Sequence, residues 1–468
     1  MNGGRPVNIL AGARWQKVLE RLPLPEGGRF YAVGGWSRDR ILASLERRAP
    51  FGEEREIDLV ADRGFFPWAE AVFRAFSGSI VGAPHVEPDF LTARLDIREE
   101  GELLRIDLAG FRSESYPRPG VLPRTRPGSF LEDSRRRDFP MNALYLEWNP
   151  TQKGFRRLFD PFGGERDLSL RTVSLIRPEA FLEDPTRIFR WARLASRLRL
   201  SSSVDLLLSL KNALEDPALW LEVGGARVAA EMERLQREED PMGALALLFS
   251  SDVFASLTGG ALSHLSLRRK RRLKRWIFLR DSLERGRETD PYLTGASREM
   301  FYLALLSALR RRAFERAALA LGVGARLSEG LRETLFRPSS WPGGHSYAGL
   351  IKESGGDRGH LWGLADRMDR GKILDSLLRC REEELPLWRE YLFDGRRLPP
   401  LISGQVLRDY PLILPEKRGA ILAEIRYCQR TGELKTKDEV LHWLEKRFPS
   451  RVRPDGSGRA GEASEELP

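Results

Sequence analysis

The spacing of hydrophobic and polar positions changes near residue 179 of this chain. Between residues 30 and 150, short β-rich runs alternate with helical stretches and polar turns. From Glu179 onward, apolar residues recur at helical spacing almost to the end. The pattern therefore predicts an α/β head, built from a small mixed β-sheet with helices, followed by an all-α remainder.

Within the head, the pattern predicts individual strands and helices. The strands are Arg29–Val33, Glu56–Val60, Phe90–Ile97, Leu103–Phe111 and Asn142–Trp148, and the helices are Trp36–Leu45 and Pro67–Phe76. Tyr116–Gly128 is rich in proline and glycine, so we expect an extended loop without regular structure there.

The composition narrows the kind of partner. The 468 residues include 77 Lys and Arg against 67 Asp and Glu, and this net charge of +10 suits a polyanion such as nucleic acid, although a solvated basic surface is the alternative. Cys380 and Cys428 form no CxxC pair, so neither a disulfide framework nor a thiolate zinc site is indicated. No apolar run suits a signal peptide or a membrane span, and we expect a cytoplasmic protein that does not enter a membrane.

A glycine pair stands between the first predicted strand and the first predicted helix. Gly34 and Gly35 let the backbone approach a ligand closely, and the start of the helix offers free N–H groups to a phosphate. Arg38 adds positive charge on the same turn. The motif indicates a phosphate site, although a strand–helix turn without a ligand has the same pattern.

Two carboxylates share one face of the next predicted strand. Glu56 and Asp58 are two residues apart, a spacing that points both side chains to the same side. Paired hard oxygen ligands suit Mg²⁺ and a bound triphosphate, as two-metal phosphoryl transfer requires. Asp107, on a later strand, is a candidate third carboxylate. The alternative is an exposed polar strand face.

Arginines and acids follow in two further clusters. The run Arg135–Arg137 precedes Asp138 and a buried-looking strand, which predicts a place at the edge of the same cleft. Asp184, Arg187 and Arg190 step by three, so they would share one face of a helix. An Asp that accepts from an exocyclic amine and an Arg that donates to the adjacent ring nitrogen would select C and A over G and U. A surface salt bridge is the alternative for this segment.

Five motifs in this order resemble the class II tRNA nucleotidyltransferase and poly(A) polymerase family. They are Gly34-Gly35-Trp-Ser-Arg38-Asp39, Glu56-Ile-Asp58, Arg136-Arg137-Asp138-Phe139-Pro-Met-Asn142-Ala143, Asp160-Pro161-Phe-Gly-Gly164-Glu-Arg-Asp167-Leu168 and Glu183-Asp184-Pro185-Thr-Arg187-Ile-Phe-Arg190. One such motif alone is weak, whereas the ordered set is specific.

The resemblance implies an α/β nucleotidyltransferase head followed by an all-α neck, body and tail. The implied divisions are a catalytic head at 1–150, a base-recognition neck at 151–235, a helical body at 236–340 and a helical tRNA-binding tail at 341–450. The last stretch, 451–468, is polar with Gly, Ser and Glu, which predicts a disordered end. Glu56 and Asp58 would hold Mg²⁺, and Asp184 and Arg187 would read the base. The nucleotide-binding residues would be Gly34, Gly35, Arg38, Arg137, Asp138, Asn142, Glu183, Asp184, Arg187 and Arg190.

The implied activity is template-independent addition of C and/or A to the 3′ end of tRNA from CTP or ATP, with no protein partner. The sequence leaves open whether CCA, CC or only A is added. A poly(A) polymerase of the same family is the nearest alternative, although Phe90-Leu-Thr-Ala-Arg94-Leu looks more like a tRNA enzyme. An inactive RNA-binding member is the second alternative, supported by Glu56 in place of the usual Asp. Pro140 replaces the usual Thr and lacks a backbone donor, which predicts a strand start there.

A dense basic run, Arg268–Arg275, stands near the start of a helix in the part of the chain without catalytic motifs. We expect Arg269, Arg271, Arg272 and Lys274 to bind the RNA backbone. The alternative is a solvated charge run.

Overall fold

The computed structural model describes residues 4–9, 11–48, 55–286, 290–307, 309–336, 357–366, 368–394, 396 and 398–449. These residues divide into two compact units. One unit draws on Met1–Leu267 and Ala308–Gly324, and the other draws on Arg268–Ser307 and Ala325–Pro468. The predicted disordered end, 451–468, lies outside the described residues, and the predicted head, neck, body and tail divisions stay predictions.

An eight-stranded mixed sheet organises the first unit. Its strands, with the labels used below, are β1 (Arg5–Ile9), β2 (Phe30–Val33), β3 (Glu56–Ala61), β4 (His85–Glu87), β5 (Thr92–Glu99), β6 (Glu102–Gly110), β9 (Tyr145–Asn149) and β10 (Gly154–Phe159). They lie in the order β1-β10-β9-β2-β3-β6-β5-β4. Only β3 and β6 pair in parallel among these neighbours. Strand β10 carries the sheet past residue 150, where the sequence places the end of the head.

The strands alternate buried apolar residues with polar ones, as a sheet covered on one face requires. In β6, Leu104, Ile106 and Leu108 are buried, whereas Arg105 and Asp107 point to the opposite face. Strands β3 and β5 follow the same alternation over part of their length. The polar side chains of these three strands therefore collect on one face of the sheet.

The predicted loop at Tyr116–Gly128 is wrong in part. Arg124–Pro127 forms a strand, β8, which pairs antiparallel with Arg112–Ser115, β7. The two-stranded ribbon tolerates Pro127 because this residue is at the end of the ladder. The N–H that proline lacks therefore removes no hydrogen bond from the interior of a sheet. The residues between the two strands, from Tyr116 onward, do form a loop.

Helices form most of the remaining described residues, which confirms the predicted fold class. In the first unit they are α1 (Ala13–Arg21), α2 (Gly34–Leu45), α3 (Phe65–Ala75), α4 (Phe130–Arg135), α5 (Gly164–Ser169), α6 (Ala180–Glu183), α7 (Thr186–Arg197), α8 (Val204–Glu215), α9 (Gly225–Gln236), α10 (Pro241–Ser250), α11 (Val253–Leu257) and α14 (Arg311–Ala320). The strands Thr172–Val173 (β11) and Ser201–Ser202 (β12) form a short parallel pair among them.

The second unit is helical over its described residues. Its helices are α12 (Leu267–Gly286), α13 (Ala296–Leu306), α15 (Ala325–Phe336), α16 (Arg358–Ala365), α17 (Arg370–Arg379), α18 (Leu385–Phe393), α19 (Arg418–Thr431) and α20 (Lys437–Arg447). Toward the C-terminal end, a cluster of buried side chains that includes Leu407, Val440 and Leu444 supplies a local core. Among the described residues, no helix combines the length and the hydropathy needed to cross a membrane. The cytoplasmic location stays a prediction.

Candidate active site

The glycine pair closes the turn between β2 and α2. Gly34 has a φ of +73°, and a Cβ added there would lie 2.7 Å from Oδ2 of Asp58. Glycine is therefore required at this position both for the backbone conformation and for the close approach of the carboxylate. The residue before the helix, Val33, provides no side-chain cap, so the first N–H groups of α2 remain available near Asp58.

We expect Gly34→Ala to lower the free energy of unfolding by about 1–3 kcal/mol, because alanine is strained at positive φ and its methyl group meets Asp58. Urea unfolding would measure the change. Gly35→Ala is the matched control, since Gly35 has no positive φ and its added Cβ would meet only the guanidinium end of Arg38, at 3.4 Å. An equal loss in both variants would contradict the assignment.

Three carboxylates meet on the polar face of the sheet. The parallel pairing of β3 with β6 sets Asp58 directly beside Asp107, and Glu56 is two residues earlier on the same face. One oxygen from each carboxylate lies within 4.8 Å of the others. The predicted convergence of Glu56 and Asp58 is confirmed, and Asp107 joins them.

Glu56 and Asp58 resist ionisation. Burial, followed by contact with Asp107, raises the pKa of Glu56 to about 7. Burial and the charge of Asp107 raise the pKa of Asp58 to about 6. Converging oxygen donors with unfavourable mutual repulsion fit a divalent cation, which would offset that repulsion. The cluster can therefore hold a divalent metal.

The arginine run is anchored by a buried acid that the sequence did not single out. Asp133 is fully buried and accepts from Arg136, from Arg137 at 3.1 Å and from the Tyr145 hydroxyl at 2.6 Å. Although burial alone would raise it, Arg136 and Arg137 hold the pKa of Asp133 at about 2. Both arginines line the cleft, as predicted, whereas Arg135 is exposed.

A chain of hydrogen bonds joins α2 to α7. Arg38, which is 3% exposed, donates to Oδ1 of Asn142 at 2.8 Å and to its neighbour Asp39. Asn142 donates to one oxygen of Asp138 at 3.0 Å, and Arg190 donates to the other at 2.7 Å. The predicted nucleotide-binding residues of three separate motifs are thus in contact with one another.

The strand predicted to start at Pro140 is wrong at its beginning. Pro140–Asn142 is a turn of 3-10 helix, and β9 begins only at Tyr145. Proline suits the first position of a helical turn because the N–H that it lacks would have no partner within that turn. The turn brings Asn142 to Asp138.

Asp184, which was expected to share a helix with Arg187 and Arg190, is not helical. Asp184 has extended backbone, with φ −136° and ψ 95°, and α7 begins two residues later. The expectation of one helical face for Asp184, Arg187 and Arg190 is therefore corrected. Oδ1 of Asp184 accepts from the Thr186 N–H at 3.1 Å and from Arg227 at 2.6 Å.

Arg187 is 4% exposed and lies against the loop that follows β7. Its Nη2 donates to the Tyr116 hydroxyl at 3.1 Å and to the Arg136 carbonyl at 2.8 Å. Its Nη1 donates to Glu183 at 3.2 Å, and Glu183 is also paired with Arg177. Glu183 thus orients Arg187, although it does not itself line the cleft.

One cleft of about 750 Å³ collects these groups within the first unit. It is lined by all predicted catalytic and nucleotide-binding residues except Glu183, namely Gly34, Gly35, Arg38, Glu56, Asp58, Asp107, Arg137, Asp138, Asn142, Asp184, Arg187 and Arg190. The cleft has the size of a small-molecule site. Three converging carboxylates and several arginines in the lining of one cleft suit a triphosphate with a divalent ion.

The basic run on α12 divides between surface and interior. Arg269 is 5% exposed and donates to the Leu305 carbonyl at 2.7 Å, and Arg272 is 3% exposed and faces Asp375 at 3.6 Å. The prediction that Arg269 and Arg272 contact RNA is therefore corrected, because buried guanidinium groups bound inside the unit are not presented to a phosphate. Arg271 and Lys274 are exposed.

Comparisons with known proteins agree with this geometry. Residues 30–174 match the family model of the poly A polymerase head domain. The chain is 30% identical over 248 residues to the A-adding tRNA nucleotidyltransferase of Halalkalibacterium halodurans, a match that covers 52% of this chain and 54% of the relative. It is 38% identical over 214 residues to the CC-adding tRNA nucleotidyltransferase of Deinococcus radiodurans, covering 45% of this chain and 52% of the relative. The chain thus spans about half the length of these relatives.

The fold of almost the whole chain has a solved counterpart. A CCA-adding enzyme in its apo form II superposes with a TM-score of 0.68, covering 93% of this chain and 99% of that chain at 21% identity. At this identity the likeness shows the fold alone.

Proposed function

We propose, from the match of residues 30–174 to the poly A polymerase head domain, that the protein adds C and/or A to the 3′ end of tRNA from CTP and ATP. The observation that carries the proposal is the meeting, in one cleft, of three carboxylates, an uncapped glycine turn and the pair Asp184 and Arg187. The A-adding and CC-adding names of the relatives favour tRNA as the acceptor.

We assign Mg²⁺ to Glu56 and Asp58, with Asp107 as the third carboxylate. A bound Mg²⁺ would lower the pKa of the attacking hydroxyl and neutralise charge on the triphosphate. Glu56 in place of the usual Asp keeps an oxygen within 4.8 Å of the other two carboxylates, which favours an active enzyme over an inactive RNA-binding relative.

The chain's own groups would bind and orient the nucleotide. The N–H groups at the start of α2, which no side chain caps, would donate to the triphosphate, because the positive end of the helix favours the anion. Arg38 directs its donors to Asp39 and Asn142, so it adds positive charge at this site and orients Asn142. Arg137 and Arg190 supply further positive charge on the walls of the cleft.

Asp184 and Arg187 would read the base edge. Asp184 accepts from the exocyclic amine of C or A, and Arg187 donates to the ring nitrogen beside it. Arg187 must first exchange its contact with the Tyr116 hydroxyl for the base, which is a local movement of one side chain.

We expect Arg187→Ala to reduce discrimination against G and U by about 1–3 kcal/mol, because the buried acceptor on the base loses its donor. The measurement is kcat/KM for CTP, ATP, GTP and UTP, one at a time. Tyr116→Phe is the control: it removes the hydroxyl that Arg187 releases, together with that hydroxyl's hydrogen bond to Glu114, and its selectivity should persist. Weaker binding of all four nucleotides at unchanged selectivity would assign Arg187 to phosphate instead.

The experiment that tests the function uses tRNA transcripts that end before, within and one nucleotide short of CCA. Each is incubated with Mg²⁺ and a single nucleotide, and an RNA without tRNA structure is run in parallel. Addition of C, of A or of both to the tRNAs alone supports the proposal and defines the specificity. Unlimited addition of A to every RNA would support a poly(A) polymerase, and no incorporation would support the inactive relative.

The exposed side chains on α12, Arg271 and Lys274, remain in the proposal as contacts to the RNA backbone. A helix that buries one set of arginines and exposes another offers phosphate-binding charge on its outer face only.

A further inference from the structure

One row of paired residues crosses the sheet from the carboxylates toward the edge strand. Asp58 pairs with Asp107, Asp107 pairs with Arg94 on β5, and Arg94 pairs with His85 on β4. Directly paired residues point to the same face of a sheet. Arg94 and His85 therefore lie on the same face of the sheet as the carboxylates, on the next two strands, and both line the cleft.

Arg94 holds the third carboxylate with one edge of its guanidinium. Its Nε donates to Oδ1 of Asp107 at 2.6 Å, and its Nη2 approaches Oδ2 at 3.3 Å. Its Nη1 donates to no other described residue, and half of the side chain is exposed, at 51%. His85 is instead bonded to Glu87 at 2.9 Å. Arg94 is thus the cation of this row that combines a fixed orientation with donors available to a ligand.

The position of Arg94 relative to the glycine turn indicates which ligand it meets. The turn is at the end of β2, on one side of β3, whereas Arg94 is on β5, beyond β6 on the other side. In phosphoryl transfer the attacking and leaving oxygens lie roughly in line with the phosphorus. A triphosphate on the α2 side therefore requires the acceptor hydroxyl to arrive from the side of β6 and β5.

We propose that Arg94 is a positioning residue that links the acceptor RNA to the carboxylate centre. One edge holds Asp107, and Nη1 donates to the phosphodiester that precedes the terminal nucleoside of the acceptor. Neighbouring strands are about 4.8 Å apart, so a hydroxyl near Asp107 has its own 5′ phosphate within reach of the next strand. The planar guanidinium suits two acceptors at once, a carboxylate and a phosphate.

The proposal rests on the proposed function and is tested by binding without turnover. An acceptor-stem RNA is prepared with its last phosphodiester either natural or replaced by an uncharged methylphosphonate. The Kd of each RNA is measured by fluorescence anisotropy in EDTA for the wild type and for Arg94→Gln. For the wild type we expect the neutral linkage to weaken binding about 10-fold, the scale of one charge-assisted hydrogen bond. For Arg94→Gln we expect the two RNAs to bind alike.

Arg98→Gln is the matched control. Arg98 is an exposed arginine on the same face of β5, four residues and about 13 Å further along the strand, and it is not part of the cleft. It should leave both Kd values unchanged. In steady state, Arg94→Gln should raise KM for the acceptor about 10-fold and leave KM for the nucleotide within about twofold, a split that general loss of folding would not produce.

The possible results distinguish a failure of the Arg94 assignment from a failure of the proposed function. If the wild type extends the natural acceptor but the methylphosphonate weakens binding equally in the wild type and in Arg94→Gln, the Arg94 assignment is wrong and the proposed function stands. If the wild type extends no acceptor, the proposed function fails and the Arg94 assignment fails with it.

Discussion

Asp58→Asn is expected to lower kcat for nucleotide incorporation by about 10²–10⁴-fold while the protein stays folded. The amide keeps the shape of the side chain but removes the charge that would hold the metal, and metal assistance contributes several kcal/mol to phosphoryl transfer. Single-turnover incorporation at saturating nucleotide would measure the loss. Asp96→Asn is the matched control, because Asp96 is an acid on the same sheet that is paired with Arg105 and lies outside the cleft.

The same variant should become more stable without metal. Because burial and the charge of Asp107 raise the pKa of Asp58 to about 6, ionisation of this group opposes folding. The wild type therefore loses stability as the pH rises from the unfolded pKa, about 3.9, through about 6. In EDTA at pH 8, Asp58→Asn should have the higher Tm, and the difference should vanish below about pH 4. A variant that is both inactive and less stable at pH 8 would point to a structural role for Asp58.

Asp133→Ala is expected to destabilise the protein by about 3–5 kcal/mol, the cost of breaking a buried ion pair by removing one partner. Arg136 and Arg137 would keep their charges in a buried site, and the Tyr145 hydroxyl would lose its acceptor. Urea unfolding at pH 7 would measure the change. Arg135→Ala, at the exposed arginine of the same run, should stay within about 0.5 kcal/mol of the wild type.

The effect of Asp133 should depend on pH in the opposite sense to that of Asp58. Its pKa is held at about 2 in the folded protein, so its contribution is fully present above the unfolded pKa, about 3.9, and is lost as the pH falls through about 2. The stability difference between the wild type and Asp133→Ala should shrink over that interval. A difference that stays constant down to about pH 2 would show that Asp133 acts through packing rather than through its charge.

Local periodicity determined the parts of the site that lie within one element. Glu56 and Asp58 share a face because a strand repeats every two residues, and the glycine pair marks a strand–helix turn whatever the rest of the chain does. The helical remainder follows in the same way from the spacing of its apolar residues. These features depend only on neighbours in the chain.

Local rules failed where strands or turns depended on a partner. Arg124–Pro127 contains residues typical of loops, yet it forms a strand because β7 lies beside it and offers hydrogen-bond partners to its backbone. Pro140 begins a helical turn rather than a strand, because Asn142 is drawn to Asp138 and Arg38. In both segments a contact distant in sequence overrode the local preference.

The burial of Arg269 and Arg272 on α12 could have been predicted from their spacing to apolar residues of the same helix. Arg269 and Arg272 precede Leu273 and Trp276 by four residues on the helix, so each lies on the stripe that packs inward. Both can be buried because groups of the same unit compensate their positive charge. Arg269 donates to a backbone carbonyl, and Arg272 faces the carboxylate of Asp375. Composition reports how many arginines there are, whereas the packing of the unit decides which ones meet solvent.

The sequence by itself determined the fold class, the glycine turn, the Glu56 and Asp58 pair and the order of the motifs, because each follows from short-range geometry. Only the tertiary structure decided that Asp107 stands beside Asp58, that Arg94 holds Asp107 and that Asp133 anchors the arginine run. Those contacts depend on which strands become neighbours and in what register, and the pairing of β3 with β6 brings together residues about 49 positions apart. Strand pairing over that separation is set by burial of the whole sheet, which no local pattern specifies.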